Sequence, residues 1–353
     1  AAASPASSPP SSAGASPASA ASKPSAAASA AASSSPSGSA ALDHVKLGVQ
    51  PVIGDSGLFI GLERGYFRAM GLDIEQVPFA SGPQMVAPLV ADQIDIGTVD
   101  PSVPSFNAAS RAPGMRVVAD STVIVKGHSP AALVVRKDLI DSGAIKDYPD
   151  LKGKRISAIQ QGSLASMSVQ RFAEKGGLKL SDIDMQFVPL PDDIPALANK
   201  VLDAAFMVEP LVTAAVDQKV GVRWKGVDEL QPVLQSLTVV YSPNMTTKRQ
   251  NVGQRFMAGS LKAVRDYIDA FDQGKDKAAI IAILAKSTTI KDPSLYDRMS
   301  LPAYDPNGQV QVASLKDIQS WYVQNGYVKT PVDIDKLLDT SYLDYALAQD
   351  GRR

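Results

Sequence analysis

The amino-acid sequence predicts an α/β protein with two lobes, joined by two chain crossings and preceded by an unstructured tether. Three observations predict this organisation. Strand–loop–helix units recur over residues 45–119 and again over residues 156–217. Extended, β-branched segments near 122–135 and 237–242 separate these series from each other and from a helical C-terminal part. Units that follow one another in this way favour a parallel sheet with right-handed crossovers.

The first unit, residues 45–77, shows the pattern most clearly. Apolar and polar residues alternate over 45–49, which is typical of a strand. The loop at 53–57 contains Gly and Ser and precedes a predicted helix at 58–70, after which Gly71 suits a left-handed C-cap. A strand that enters a helix through such a loop leaves unpaired backbone N–H groups at the carboxyl edge of the sheet. Those donors can bind a small ligand.

The remaining units follow the same plan. The sequence predicts further loops between a strand and a helix at residues 79–83, 99–102, 160–163, 191–193 and 209–210. Leu89 precedes Asp95 by the same number of residues that separates Leu197 from Asp203. The two series therefore look like one plan used twice.

The helical patterns after residue 250 are expected to pack onto the first series, which makes the first lobe discontinuous. The predicted organisation is a tether at 1–41, a first lobe at 42–122 plus 241–353, and a second lobe at 123–240. Two crossings between such lobes form a hinge, and a hinge between facing loop edges can close on a ligand.

The composition excludes several classes of function. The 35 basic and 36 acidic residues nearly cancel, so no bulk charge indicates a nucleic-acid partner. There is no cysteine and there are only two histidines, which excludes disulfides, thiolate catalysis and Cys- or His-rich metal sites. No apolar run approaches the roughly 20 residues of a membrane span. We therefore expect no cofactor and no metal.

Residues 1–41 are almost entirely Ala, Ser, Pro and Gly, a composition that has little to bury and is expected to stay disordered. A flexible chain of this length spans roughly 35 Å. The sequence begins at Ala1 without Met, so a secretion signal, if one existed, is expected to have been cleaved. A lipidated residue just upstream of Ala1 would make the protein an extracytoplasmic, periplasmic or cell-surface lipoprotein, and this anchor is its only expected contact with a membrane.

Several short motifs occur in a characteristic order and spacing. They are GLERGYF at 61–67, GLDI at 71–74, DIG at 95–97, LKGKRI at 151–156, QGS at 161–163, FMVEP at 206–210, QNGY at 324–327 and VDIDKL at 332–337. With them the chain resembles, from about residue 42 onward, solute-binding proteins of ABC importers with the type II two-lobed periplasmic binding fold. More narrowly, it resembles the nitrate/sulfonate/taurine and thiamine-pyrimidine-precursor or riboflavin branch. The resemblance implies a small-molecule solute, an ABC permease and its ATPase as partners.

The chain departs from that family in two loops. The family usually has a glycine at the end of the helices before Asp95 and Asp203, where this chain has Asp92 and Asn199-Lys200. Asp and Asn tolerate left-handed backbone geometry, so the departure concerns local loop shape and not the fold.

Convergence of the loops at one cleft would bring together a set of candidate ligand-binding residues. They are Asp55, Ser56, Gly57, Ser81, Gly82, Asp100, Ser102, Gln161, Gly162, Ser163 and Glu209. The same residue types also serve as ordinary helix caps or favourable first-turn charges without any ligand. The aromatic residues nearest these loops are Phe59, Phe106 and Tyr241, which either pack in the core or stack on a flat ligand ring.

The charges of the loops favour one class of solute. None of the predicted loops contains Lys or Arg, whereas Asp55, Asp100, Asp192, Asp193 and Glu209 are acidic. A neutral or weakly basic heterocycle that donates N–H or O–H groups suits such a site, for example a pyrimidine precursor of thiamine or riboflavin. Nitrate, an alkylsulfonate such as taurine, or bicarbonate remains the alternative, because helix N-terminal amides bind anions.

An enzyme on the same scaffold is the competing class of function. Pyrimidine synthases of fungi resemble this fold, but they carry a cysteine-rich iron motif. This chain has no cysteine, and it contains no Walker-type phosphate loop, no HExxH and no GxSxG motif. The sequence therefore predicts a binding protein without chemistry of its own and without catalytic residues.

Overall fold

The computed structural model describes residues 41–353, in which ten strands form two five-stranded sheets. The strands are β1 (Asp43–Val49), β2 (Leu72–Pro78), β3 (Ile96–Val99), β4 (Arg116–Val125), β5 (Ala131–Arg136), β6 (Arg155–Ala158), β7 (Asp184–Phe187), β8 (Ala204–Val208), β9 (Gly221–Gly226) and β10 (Val233–Tyr241). The predicted tether lies outside the described residues, except for Ala41.

Fourteen α-helices of the described residues connect and cover these strands. They are α1 (Ser56–Glu63), α2 (Tyr66–Ala69), α3 (Gly82–Val90), α4 (Val103–Ala109), α5 (Lys137–Asp141), α6 (Leu164–Lys175), α7 (Asp193–Ala198), α8 (Leu211–Asp217), α9 (Pro243–Thr247), α10 (Gln250–Gln273), α11 (Lys277–Ser287), α12 (Val312–Gln324), α13 (Ile334–Leu337) and α14 (Ser341–Asp350). The helix predicted at 58–70 is interrupted at Gly65, whose φ of 71° ends α1 and begins α2. Among residues 41–353 no helix is long and apolar enough to cross a membrane.

The two sheets have the same topology. Their strand orders are β2-β1-β3-β10-β4 and β7-β6-β8-β5-β9. The first strand of each series, β1 or β6, pairs in parallel with both of its neighbours. The parallel pairing predicted for the strand–loop–helix units holds for β1 with β2 and β3 and for β6 with β7 and β8, whereas β10 and β5, which the prediction did not include, are antiparallel to both of their neighbours. Each of these strands enters its sheet from the other one, at the carboxyl edge, and therefore runs in the opposite direction.

The chain passes from the first sheet to the second after Val125 and returns at Val233. Residues 123–125 and 233–240 therefore pair within the first sheet. The lobe boundaries at 122/123 and 240/241 remain a prediction. If the lobes are defined by sheet membership, the boundaries lie instead in the connecting segments 126–130 and 227–232. Below, "first lobe" and "second lobe" mean the parts of the chain built on the first and second sheet.

The repeat suspected from Asp95 and Asp203 reappears as matching contacts. Asp95 Oδ2 accepts a hydrogen bond from the Lys46 N–H at 2.9 Å, and Asp203 Oδ2 accepts one from the Arg155 N–H at 3.0 Å. The second oxygen of each carboxylate meets a guanidinium, that of Arg249 or Arg136, at 2.8 and 3.1 Å. Each aspartate thus fixes the start of one strand against its neighbour.

The C-terminal helices do not all cover the first sheet. α10, α11 and α14 bury apolar side chains in the core of the first lobe. α12 instead packs Leu315, Ile318 and Trp321 into a core that it shares with α6 of the second lobe. Arg171 of α6 contacts Asp317 of α12 at 2.8 Å. This helix therefore spans both lobes, which corrects the prediction that it packs onto the first lobe alone.

The side chain of Gln235 connects the two crossing strands of the first sheet. It is fully buried in β10, next to a register shift in the ladder with β4. Its Nε2 donates to Asp120 Oδ1 of β4 at 2.6 Å, and its Oε1 accepts from the Gln311 N–H at 2.8 Å. Its backbone N–H donates to Ser314 Oγ of α12 at 2.9 Å. One amide thus ties both hinge strands to α12.

Lys200 adopts the left-handed conformation that the family's glycine would provide, with φ of 60°, whereas Asn199 has φ of −83°. We expect Lys200→Gly to raise the free energy of unfolding by roughly 0.5–1 kcal/mol, because relief of left-handed strain outweighs the added entropy of the unfolded chain. Urea denaturation measures the change. The matched control, Asn199→Gly, should lower stability, and an equal response of both variants would contradict the strain argument.

Candidate functional site

Asp55 lies at the carboxyl edge of the first sheet, between β1 and α1, and its side chain is 1% exposed. Its Oδ2 accepts from the Gln50 N–H at 2.6 Å, and its Oδ1 accepts from Thr98 Oγ1 at 2.7 Å. Burial raises the pKa of Asp55 to about 7, against the lowering effect of these two hydrogen bonds. The carboxyl group therefore holds the loop after β1 against the end of β3.

Ser56 and Gly57 open α1, and their polar groups also have partners inside the protein. Ser56 Oγ donates to the Ile53 carbonyl at 2.7 Å. The Gly57 N–H donates to the Tyr304 hydroxyl at 3.3 Å, and a Cβ at Gly57 would lie 3.1 Å from the Val264 side chain. Tyr304 is a contact that sequence reasoning missed, because it comes from a distant part of the chain.

Asp100, Ser81 and Gly82 meet where the loops after β2 and β3 approach each other. A Cβ placed on Gly82 would be 2.9 Å from Asp100 Oδ1, so any residue other than glycine would clash with this carboxylate. Asp100 Oδ1 is buried and has no hydrogen-bond partner among the described residues. Burial raises the pKa of Asp100 to about 6. Ser102, directly after this loop, shares a hydrogen bond of 3.0 Å with Ser105.

The loop after β6 in the second lobe reaches the first lobe. The Val103 N–H, at the start of α4, donates to the Gly162 carbonyl at 3.3 Å. Gly162 has φ of 71°, and a Cβ there would lie 3.1 Å from the Val103 side chain. Gln161 beside it is exposed, while Ser163 Oγ caps α6 by accepting from the Ser166 N–H at 3.2 Å. Two loops predicted to face each other are therefore in contact.

Glu209 follows β8 and is buried, with both carboxylate oxygens engaged. Its Oε2 accepts from the Thr213 N–H of α8 at 3.0 Å, and its Oε1 accepts from the Ser300 N–H at 3.3 Å. Burial raises the pKa of Glu209, and the nearby positive charge of Arg223 opposes this shift. Glu209 thus caps a helix of the second lobe and also contacts a segment of the first.

The three aromatic candidates are buried. Phe59 belongs to the core of the first lobe, and Phe106 packs edge-on against Tyr322 beside a small cavity of about 30 Å³ that Asp100 also lines. Tyr241 lies opposite Ile96, at the amino end of β3, and its hydroxyl donates to the Gly253 carbonyl at 2.8 Å. It is therefore at the edge of the sheet away from the loops, which disfavours the predicted ligand contact.

Two further carboxylates are buried, one within β4 and one at the start of α7. Asp120 of β4 accepts from Gln235 and from the Asp305 N–H, and Asp193 of α7 accepts from Ser157 Oγ at 2.6 Å. Burial raises the pKa of each to about 7. No group of three or more acidic or His side chains within residues 41–353 is arranged to hold a metal ion.

A cation, Arg223, lies near Glu209, although none of the predicted loops contains Lys or Arg. Arg223 lies on strand β9, so it is not among the loop residues that the sequence pattern singles out. Its Nη2 donates to the Ser129 carbonyl at 3.0 Å, and its buried Nη1 has no hydrogen-bond partner in the described part of the chain. Asp100 Oδ1 and Arg223 Nη1 are therefore an acceptor and a donor that have no partner within residues 41–353.

A family model described as the NMT1-like family matches residues 38–284. The chain belongs to the NMT1-like family. A binding protein of Brucella abortus is 29% identical over 153 residues, which cover 43% of this chain and 44% of that protein. A protein of Escherichia coli named as an aliphatic sulfonates-binding protein is 32% identical over 150 residues, 42% of this chain and 44% of that protein. The chain thus matches less than half the length of these curated relatives.

Solved structures share the fold of this NMT1-like protein. The periplasmic nitrate-binding protein NrtA from Synechocystis PCC 6803 has a TM-score of 0.72 at 16% identity, over 87% of this chain and 89% of that one. The periplasmic aliphatic sulphonate-binding protein SsuA from Escherichia coli has a TM-score of 0.67 at 22% identity, over 84% and 92%. The desulfurization enzyme DSZB also matches, with a TM-score of 0.61 at 17% identity over 87% and 99%. The predicted two-lobed periplasmic binding fold is confirmed.

The raised pKa of Asp55 predicts how stability changes with pH. The folded protein keeps this proton up to about pH 7, whereas an aspartate in the unfolded chain has its ordinary pKa of 3.8. The contribution of Asp55 to stability is therefore complete below pH 3.8 and is lost as the pH rises through 7. We expect Asp55→Asn, which stays neutral, to lose less free energy of unfolding between pH 4 and pH 8 than the wild type. The difference should be roughly 1 kcal/mol or more. Urea denaturation across this pH range measures it.

Asp292→Asn is the control for that measurement. Asp292 is exposed, and its hydrogen bond from the Ser294 N–H lowers the pKa of its carboxyl group. Its contribution is therefore present above pH 3.8 and is lost on acidification, the opposite sign. Parallel pH profiles for D55N and the wild type would contradict the assignment of a buried, protonated Asp55.

Proposed function

We propose that this NMT1-like protein is the extracytoplasmic solute-binding component of an ABC importer. It captures a small solute between its two lobes and delivers it to a membrane permease and the ATPase of that permease. The observation that carries the proposal is the meeting of two loop edges, where the Val103 N–H contacts the Gly162 carbonyl. Relatives and fold neighbours named as binding proteins or as parts of import systems support it.

Closure around the solute needs no chemistry by the protein. A ligand that contacts both lobes binds the closed form better than the open form, and it therefore shifts the population towards closure. The closed form then presents both lobes to the permease in one arrangement. A solute site requires a concave surface with a few polar groups that fix orientation, and the loops carry candidates for those polar groups.

An oxyanion is the first candidate for the solute. Arg223 offers a fixed cation with a free Nη1 beside the carboxyl end of β8, and a guanidinium binds sulfonate-like oxygens well. The names of two fold neighbours, a nitrate-binding and a sulphonate-binding protein, favour the same class. The acidic loop residues taken alone disfavour an anion, and the guanidinium of Arg223 offsets them.

A neutral or weakly basic heterocycle, of the thiamine-precursor or riboflavin kind, is the second candidate. The observation in its favour is Asp100, whose Oδ1 is buried without a partner in residues 41–353 and would accept an N–H or O–H of such a ligand. Taurine carries both an ammonium and a sulfonate group, so it belongs in any test of either candidate.

A thermal-shift screen distinguishes these candidates. The panel contains nitrate, bicarbonate, ethanesulfonate, taurine, a thiamine pyrimidine precursor and riboflavin. A solute at 100 times its Kd adds about 2.7 kcal/mol to the stability of the folded state, which raises Tm by several degrees. We expect a sulfonate or nitrate to raise Tm, and Arg223→Gln to weaken its binding about tenfold or more.

The variants make the result specific. Lys225→Gln removes a charge from the same strand, two residues away, and should leave the shift intact. A shift with heterocycles only, abolished by Asp100→Asn but not by Arg223→Gln, would replace the first candidate by the second. Conversion of any compound during incubation, followed by chromatography, would contradict the proposal of a binding protein.

A further inference from the structure

Residues 298–304 of the first lobe form a segment that lies between the core of that lobe and the second lobe. Met299 and Tyr304 are buried in the core of the first lobe, and Leu301 packs against it. Arg298 and Ser300 instead contact the second lobe and the first crossing. The segment therefore has one set of residues that anchors it to the first lobe and another that reaches outward.

Hydrogen bonds also attach the segment to the first lobe. Ala303 exchanges two backbone hydrogen bonds with Val123 of β4, at 2.9 and 3.2 Å. The Tyr304 hydroxyl donates to the Gly54 carbonyl at 3.2 Å and accepts from the Gly57 N–H. The segment is therefore part of the same body as the loop after β1, and it moves with the first lobe.

Arg298 and Ser300 make three polar contacts outside the first lobe. Arg298 Nη1 lies 2.8 and 2.9 Å from the two carboxylate oxygens of Asp217, at the end of α8. The Ser300 N–H donates to Glu209 Oε1, just before the same helix. Ser300 Oγ accepts from the Ser129 N–H at 3.1 Å, in the first crossing. The contacts to Asp217 and Glu209 join the lobes directly, whereas the contact to Ser129 is at the hinge.

We propose that Arg298 and Ser300 form an interlobe latch, which engages Asp217 and Glu209 when the lobes are closed. Separation of the lobes requires both contacts to break, so the latch sets the ratio of closed to open protein before any solute binds. In this assignment Glu209 binds the latch and not the solute. The latch regulates the cleft of the proposed function, but the contacts that define it do not depend on which solute is bound.

The absence of cysteine in the sequence allows a direct test. Ala87→Cys in α3 and Ser181→Cys next to β7 place one exposed label on each lobe of the full chain. Single-molecule energy transfer between the labels then gives the closed and open fractions without any solute. We expect Arg298→Ala and Asp217→Ala each to lower the closed-to-open ratio about two- to fivefold, the usual range for an exposed ion pair.

Two comparisons separate a latch from a general loss of charge. The double variant R298A/D217A should lower the ratio no further than either single variant, and the exchanged pair R298D/D217R should recover at least half of the loss. Asp297→Ala is the matched control, because Asp297 pairs with Lys277 at 2.7 Å within the first lobe. It should leave the ratio unchanged.

Three outcomes would overturn the latch: equal ratios in R298A and D297A, additive effects in the double variant, or a wild type that is open throughout. The result is independent of the solute screen. If R298A opens the protein while no compound raises Tm, the latch stands and the proposed function fails. If a solute binds but R298A leaves the distances unchanged, only the latch fails.

Discussion

The buried amide of Gln235 is the interaction on which the two-lobed arrangement depends. The chain crosses between the lobes twice, and the crossing strands β4 and β10 lie side by side in the first sheet. At their register shift the ladder alone would leave polar groups unpaired. Gln235 fills this gap, since its side chain donates to Asp120 of β4 and accepts from Gln311. A fully satisfied buried network is rigid and specific, so both hinge strands leave the sheet in fixed directions.

The same logic explains why the two lobes resemble each other. Asp95 and Asp203 each hold the start of a strand through a backbone N–H and a guanidinium, and each carboxylate sits at the amino end of its sheet. Because these contacts fix the strands at the amino edge, the loops at the carboxyl edge can differ between the lobes. Asp55 accepts a hydrogen bond from Thr98 in the first lobe, whereas Asp193 accepts one from Ser157 in the second. The contacts shared by both lobes therefore stabilise the fold, and the contacts that differ lie where the candidate site residues are.

Local patterns in the sequence predict the strand–loop–helix units, the equivalent positions of Asp95 and Asp203 in the two series, and the cap at Ser163. They could not predict the antiparallel strands, because the neighbours of a strand that changes lobes depend on contacts across the whole chain. Tyr304 bonds Gly57 across a separation of 247 residues, and no periodicity signals such a contact. Arg223 was overlooked for a related reason: attention to loops excludes a long side chain that starts on a strand and reaches the strand ends.

The structure also changes which candidate residues remain free to bind a solute. A buried polar group that already has partners gains little from a ligand, whereas one without partners gains the hydrogen bond it lacks. Asp55, Ser56, Ser163 and Glu209 all have partners within the protein. Asp100 Oδ1 and Arg223 Nη1 lack them among residues 41–353. In the proposed function we therefore expect selectivity to come from these two groups, one acceptor and one donor, while the partnered loop residues hold the loops in place.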